Sequence, residues 1–335
     1  MHIGKSYPLT DFLYWTRREI YLLIVLGTMP VVLYQVLGVK WMVVPWTVVS
    51  LLGTATAFIV GFKNTQTYNR TWGALGVWGS IVNTSKYWGI ICRDSFKDPE
   101  LVRTLIYRHF AWLTAIRFEL RKHRVWEKVD AHHNAEYQRF YKIPERKSEC
   151  ENEMLKYISK EELASVSKAH SMATQLLALQ SRDIKAVHDS QGIVPTQFVE
   201  MQRTINAFFA QQSQVEGLKD TPYPRQYSII NTIFVRMFCI LLPFGMLQEF
   251  DKLNGVVNGV MKGHMIWLLI PFTVIISWMY TSLVQVGDST ENPFEGSPND
   301  VPISSICRSI EIDLREMLGE TELPAPVKAQ NEILV

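Results

Sequence analysis

Four stretches of the chain are almost free of charged residues. They cover residues 20–39, 41–62, 227–248 and 263–287, and Lys40 alone separates the first two. Each is about 20 residues long, which at about 1.5 Å of helical rise per residue spans a bilayer core of about 30 Å. The pattern predicts four transmembrane helices, arranged as two hairpins with short connecting loops.

The rest of the chain is polar and has the period of α-helices. Apolar residues recur at helical spacing over 101–123, 159–184 and 304–320, and Ser159 with Glu162 forms a capping box at the start of the second stretch. No segment alternates with a period of two for long. The sequence therefore predicts an all-α fold, a four-transmembrane-helix membrane protein with a helical cytoplasmic domain.

The same pattern divides the chain into five segments. They are an N-terminal segment (1–19), a first transmembrane hairpin (20–62), a cytoplasmic helical domain (63–226), a second hairpin (227–287) and a C-terminal helix and tail (288–335). Basic residues next to the spans set the orientation, because they favour the cytoplasmic side. By that rule both termini and the large domain are cytoplasmic. The basic residues that indicate this orientation are Arg17, Arg18, Lys63, Arg70 and Arg225.

Composition narrows the function. A formal net charge of +2 lacks the basic excess of a dedicated nucleic-acid binder, so no nucleic-acid partner is expected. The four cysteines form no C-x-x-C pair, which argues against a zinc ribbon or a dithiol redox site. No Ser-His-Asp set, paired-carboxylate site or cofactor fingerprint can be assembled with any specificity. We expect neither an enzyme nor a bound cofactor.

The second span carries two adjacent stripes. Gly53, Ala57 and Gly61 follow at four-residue steps, the small-xxx-small pattern that lets helix backbones approach closely in lipid. We therefore expect them to form a helix-packing face.

The neighbouring stripe is formed by Thr54, Phe58 and Phe62, also at four-residue steps. Two interpretations are open. The phenylalanines face lipid or core, as is common in membrane spans, or they surround a symmetry axis and form a hydrophobic constriction that gates ions by dewetting.

Four motifs in order resemble the bacterial branch of the bestrophin family. They are FIVGFKNTQTYNRTWGALGVWGSIV, TPYPRQYSIINTIFVRMFCILLPFGM, ENPFEGSPNDVPISSICR and SIEIDLREMLGE, and together they run from Phe58 to Glu320. The resemblance implies a homopentamer in the bacterial inner membrane with one ion pore on the five-fold axis. It places the hydrophobic neck at Thr54, Phe58 and Phe62, and a second, cytoplasmic aperture at Thr196 or Gln197.

The resemblance leaves the sign of the ion open. Animal bestrophins conduct chloride and other small anions, whereas some bacterial members pass monovalent cations. The expected partners are further copies of the same chain, monovalent ions and the lipid bilayer.

Two places are weak metal candidates. Animal members bind calcium after the N-P-F motif, which points here to Asn292 and Asp300, but that stretch has too few carboxylates for a high-affinity site. A helix cap formed by Asp300 or Ser304 is favoured instead. The second place has adjacent histidines, for which a solvated turn is favoured; its residues are His132, His133 and Glu136.

Two other functions compete with the channel. A membrane-anchored interaction protein would be monomeric and electrically silent, and a secondary transporter would show inverted repeats, which the two hairpins lack. Arg236 interrupts the third span and is expected to form an intramembrane pair or to reach the interface; a charge on the conduction path is the alternative.

Overall fold

The computed structural model describes residues 1–128, 134, 138–259 and 261–335, and within these residues it is helical with no β-strand. The α-helices are α1 Leu9–Gln35, α2 Trp46–Ser95, α3 Pro99–Arg121, α4 Cys150–Met154, α5 Lys160–Val166, α6 Met172–Asp189, α7 Pro195–Asp220, α8 Arg225–Lys252, α9 Leu269–Ser289 and α10 Ile303–Met317. Short 3-10 helices cover Lys40–Met42, Pro144–Arg146, Leu253–Gly255 and Met265–Leu268. The predicted all-α class is confirmed.

The chain forms two compact units. The first, here called the membrane unit, consists of Lys5–Asn69 and Tyr223–Glu291. The second, here called the body unit, consists of Met1–Gly4, Arg70–Pro222 and Asn292–Val335. Helix α2 contributes residues to both, since it contains no proline and runs unbroken to Ser95.

The membrane unit contains the four predicted spans. Helices α1, α2 and α8, and α9 with the 3-10 turn before it, are long and apolar enough to cross a membrane. Helix α1 starts at Leu9, well before the predicted span at 20–39. The helix thus extends beyond the charge-free stretch and includes polar residues such as Asp11 in its first turn. The four predicted spans therefore correspond to four observed helices.

A small apolar core holds the membrane unit together. Leu23 of α1, Val49 of α2, Phe238 of α8 and Tyr280 of α9 are all at least nine-tenths buried in it. The Tyr280 hydroxyl donates a hydrogen bond to the backbone oxygen of Gly53 over 3.1 Å. This bond joins α9 to the middle of α2 and satisfies a polar group that lipid could not.

The body unit has a larger core rich in tryptophan. Trp78 and Trp88 of α2 and Trp112 of α3 are fully buried there, packed with residues of α6, α7 and α10. The buried positions of α6 recur at helical spacing, so that helix presents one apolar face to the core. Helix α3 is instead buried on all sides over residues 108–116.

The predicted helix over 159–184 is two helices. Ser159 accepts the predicted capping hydrogen bond from the Glu162 amide over 3.2 Å, which confirms that start. Helix α5 then ends at Val166, and Ser171 caps a new helix by accepting from the Thr174 amide over 3.2 Å. The cap at Ser171 starts a new helix and so divides the predicted one. Hydrophobic periodicity alone does not show such a division.

Candidate pore-lining site

One face of α2 is packed inside the membrane unit. Val49, Thr56 and Val60 are fully buried along it. Gly53 lies on the same face, where a Cβ atom would come within 2.7 Å of the Phe238 ring of α8. Absence of a side chain at this position lets the two helices approach closely.

The predicted neck stripe lies on the opposite side of α2. Phe58 is two residues from both Thr56 and Val60, and so about 160° around the helix from each of them. Thr54 is exposed in the isolated chain, and the exposed fractions of Phe58 and Phe62 are 77% and 47%. Thr54 and Phe58 therefore point away from the rest of their own chain, and Phe62 is partly exposed on the same side.

The stripe presents few groups that could replace the water around an ion. The Thr54 hydroxyl donates to the Ser50 carbonyl over 3.0 Å, so its proton is used within the helix. Phe62 packs against Tyr227 of α8 with 6.4 Å between ring centroids. If such stripes met around an axis, they would line a narrow apolar passage, in which water is easily lost and ions are excluded until it widens.

The predicted helix-packing stripe is only partly a contact of this chain. Gly53 touches α8, but Ala57 is exposed and Gly61 has no atom within 4 Å of its Cβ position. A four-residue step advances about 40° beyond a full turn, so over eight residues the stripe rotates by about 80° out of the contact. Ala57 and Gly61 therefore pack against no other helix of their own chain among the described residues, and their part in a helix-packing face stays a prediction.

Lys63, the residue after the stripe, is buried. Sequence reasoning placed it among the basic residues that set orientation and predicted no partner for it; its side chain is 2% exposed and its ammonium group pairs with the Asp288 carboxylate. The sequence signal for this buried pair was the presence of two acidic residues, Asp288 and Glu291, soon after the apolar span 263–287. Arg236, by contrast, is exposed on α8.

The predicted cytoplasmic aperture lies in the first turn of α7, which begins at Pro195. Thr196 is exposed and Gln197 is half-buried. Phe198 is stacked on His188 at 4.4 Å between ring centroids, whereas Val199 is 45% exposed. This turn thus offers both polar and apolar side chains to solvent, and the assignment of the aperture stays a prediction.

The acidic loop before α10 is built around Asp300. Its Oδ2 accepts hydrogen bonds from the amides of Gly296 and Ser297 over 2.6 and 3.0 Å, and Arg121 lies 4.0 Å away. Asp300 therefore closes a turn and does not cap α10, whose N-cap is Pro302. The predicted helix cap is wrong.

The other residues of the loop also have protein partners. Ser304 donates to Glu145 over 2.6 Å, so it does not cap α10 either. Asn292 donates to the Glu295 carboxylate, and burial raises the pKa of Glu295 to about 8. The part of the chain that the structure describes contains no group of three or more His, Cys, Asp or Glu residues able to hold a metal. His132, His133 and Glu136 lie outside the described residues.

Comparison with known proteins decides the family. The family model of the bacterial and fungal bestrophin proteins matches residues 17–316. The chain belongs to the bacterial and fungal bestrophin family.

Relatives of this bestrophin include channel-forming proteins of enteric bacteria. The voltage-dependent anion channel-forming protein YneE of Escherichia coli O157:H7 is 27% identical over 294 residues, covering 88% of this chain and 83% of that protein. The Salmonella typhi protein of that name is 24% identical, covering 87% of this chain and 82% of its own length.

The fold agrees with that of a solved bacterial bestrophin. A crystal structure of a bestrophin homologue from Klebsiella pneumoniae superposes with a TM-score of 0.74 at 19% identity, covering 90% of this chain and 98% of that one. At this identity the likeness establishes the fold alone.

Proposed function

We propose that this bestrophin is a homopentameric channel that conducts small monovalent ions through a hydrophobic neck formed by Thr54, Phe58 and Phe62 of each copy. One observation carries the proposal. The stripe is exposed on the side of α2 opposite its packed face, where it is free to meet the same stripe of other copies. Family membership supports the assembly of such stripes around an axis.

For the ion we propose a small anion such as chloride. The relatives described above are named anion channel-forming proteins. A phenyl ring has a positive edge, so rings that turn their edges to the passage favour anions over cations. A sodium-conducting channel is the alternative, which rings that present their negative faces would favour.

For the location we propose the bacterial inner membrane, with both termini and the body unit in the cytoplasm. The supporting observation is the charge of the connections between spans. Lys40 is the only charged residue between α1 and α2. On the opposite side, Arg17 and Arg18 lie in the N-terminal half of α1, just before its charge-free stretch, and Arg225 is the first residue of α8. Cysteine-accessibility labelling of Lys40→Cys from the outside tests this orientation.

Two measurements test the channel and its ion. Native mass spectrometry of the purified protein should give the mass of five chains. Planar bilayers in asymmetric NaCl should show unitary current steps, with a reversal potential close to that of chloride. A reversal potential close to that of sodium would reject the anion and keep the channel.

The rival functions predict different results. A monomeric, electrically silent protein would indicate a membrane-anchored interaction protein. Saturable flux in liposomes without unitary steps would indicate a secondary transporter.

A further inference from the structure

A buried ion cluster lies directly beside the proposed neck. The Lys63 ammonium group pairs with Asp288, and it lies 3.8 Å from Glu291 and 3.4 Å from the Ser228 hydroxyl. The side chains of Lys63 and Glu291 are 2% and 1% exposed. Lys63 directly follows Phe62, so the cluster and the last neck residue share one helical turn.

The cluster joins three helices of the membrane unit. Lys63 belongs to α2, Ser228 to α8, and Asp288 to the last turn of α9. Arg225, at the start of α8, lies 3.6 Å from Glu291 just after α9. The cluster lies near three of the four places where the chain passes between the units, after Asn69, before Tyr223 and after Glu291.

Packing beside the cluster is tight. A Cβ atom on Gly287 would come within 2.2 Å of the Asn64 side-chain oxygen, so α2 and α9 approach as closely there as a glycine allows. One turn further on, the hydroxyls of Thr67 and Thr290 lie 3.2 Å apart. The position of α2 next to Phe62 is therefore determined by contacts with the end of α9.

A buried ion pair has two states: it is formed, with both charges in contact, or it is broken. The charges lose their hydration when they are buried, and mutual attraction compensates only while both partners are in place. Loss of one charge leaves the other buried and unpaired, which draws in water and separates the helices. Water at this position would also favour a wet neck, since the dewetted state depends on apolar surroundings.

We propose that Lys63 is a positioning residue that, through Asp288 and Glu291, holds the cytoplasmic end of the neck in its narrow state and so sets the open probability of the channel. This proposal rests on the proposed function. Lys63 acts on the neck through the position of Phe62 and does not touch the permeating ion, because its side chain is turned into the protein.

The test measures open probability and unitary conductance separately, in purified wild-type and variant channels. Lys63→Met keeps most of the side-chain length and removes the charge. It should raise open probability about tenfold, the factor that corresponds to about 1.4 kcal/mol. Unitary conductance and reversal potential should stay at the wild-type values. Lys63→Arg keeps the charge and should restore wild-type gating.

Two further variants secure the interpretation. Asp288→Asn leaves the ammonium group without its main partner and should also raise open probability. The double variant with Lys63→Met should raise it by less than the product of the two single effects.

The matched control is Lys86→Met. Lys86 lies on the same helix and pairs with Asp313 over 2.9 Å, but it is exposed and outside the membrane unit, so its loss should not change gating.

Each other outcome overturns the proposal. If Lys63→Met lowers only the melting temperature and the yield, while open probability stays at the wild-type value, the cluster is structural. If it changes unitary conductance or the reversal potential, Lys63 lies on the ion path. If Lys63→Met fails to assemble, an unchanged open probability in Asp288→Asn would overturn the proposal instead. A silent wild-type pentamer instead defeats the proposed function, and that result is obtained before any Lys63 variant is compared.

Discussion

Gly53 of α2 lies against the ring of Phe238 of α8, so close that a Cβ atom on the glycine would come within 2.7 Å of a ring carbon. The Gly53 carbonyl also accepts the hydrogen bond of the Tyr280 hydroxyl. Only the first of these two helix contacts requires a glycine, because the second uses a backbone carbonyl that any residue would supply.

This contact predicts a difference between two glycines of one helix. Gly53→Ala forces the Phe238 ring to move, and overpacking of this kind costs about 1–3 kcal/mol. Gly61→Ala has open space within the chain, and alanine is the better helix former. In detergent, the first variant should melt several degrees below the wild type and the second should not.

The oligomer mass then tests where Gly61 points. If Gly61 faces a second copy in the pentamer, a larger side chain should weaken assembly without unfolding the chain. Gly61→Leu should therefore reduce the pentamer signal in native mass spectrometry and keep the helical circular dichroism of the wild type. A stable pentamer of Gly61→Leu would show that this part of the small-residue stripe is not an interface.

Widening of the neck provides the direct test of the phenylalanine stripe. Replacement of Phe58 and Phe62 together by alanine removes two rings per copy from the proposed constriction, so water should enter it more easily. Unitary conductance or open probability should rise about twofold or more. Phe272→Ala is the matched control, since Phe272 is 51% exposed on α9, away from the stripe. If the double variant, like Phe272→Ala, carried the same current as the wild type, the stripe would face lipid.

The features that could be predicted from the sequence are local ones. Charge-free segments of the right length identified all four spans, and helical periodicity alone placed Thr54, Phe58 and Phe62 on one stripe of α2. Both depend on residues within a few turns of one another. The sequence did not show which neighbour the small-residue stripe contacts, because the direction of a neighbouring helix is set by the whole bundle.

The features that could not be predicted depend on distant partners. Lys63 is separated from Asp288 by 225 residues, and only the packing of α2 against α9 turns a basic residue near a span end into a buried ion pair. Asp300 closes a turn with local partners, but its position 4.0 Å from Arg121 likewise depends on a residue far away in the sequence. Neither contact leaves a periodic signal.

His109 predicts an acid-sensitive body unit. The imidazole is fully buried on α3 between Trp112 and Phe208, and its Nε2 lies 2.9 Å from the Ser85 hydroxyl oxygen. That hydroxyl donates to the Ile81 carbonyl, so Nε2 carries the proton and Nδ1 is left without a partner among the described residues.

Burial lowers the pKa of His109 to about 3 from an ordinary value of 6.5. Between these values the unfolded chain binds more protons than the folded one, so stability is full above pH 6.5 and is lost as the pH falls. At pH 5 the loss should be about 2 kcal/mol.

Replacement of the imidazole should abolish this acid sensitivity. His109→Phe keeps an aromatic ring between Trp112 and Phe208, and Ser85 keeps its bond to Ile81. Between pH 7 and pH 5, the melting temperature of the purified variant should fall less than that of the wild type. The exposed His170 serves as the control, and His170→Phe should leave the wild-type difference unchanged. Equal slopes for wild type and His109→Phe would assign the acid sensitivity to other groups.

The loop around Asp300 predicts indifference to calcium. A calcium ion needs about six to eight oxygen ligands, whereas both carboxylate oxygens of Asp300 already accept hydrogen bonds from Gly296 or Ser297. A divalent cation there would also face the Arg121 guanidinium group. Currents and melting temperature should therefore be the same in a chelator and in calcium at about 1 mM. Asp300→Asn should lower stability by about 2 kcal/mol through loss of the loop contacts, with or without calcium. A calcium-dependent rise in current or melting temperature that Asp300→Asn abolishes would show that the loop binds the cation.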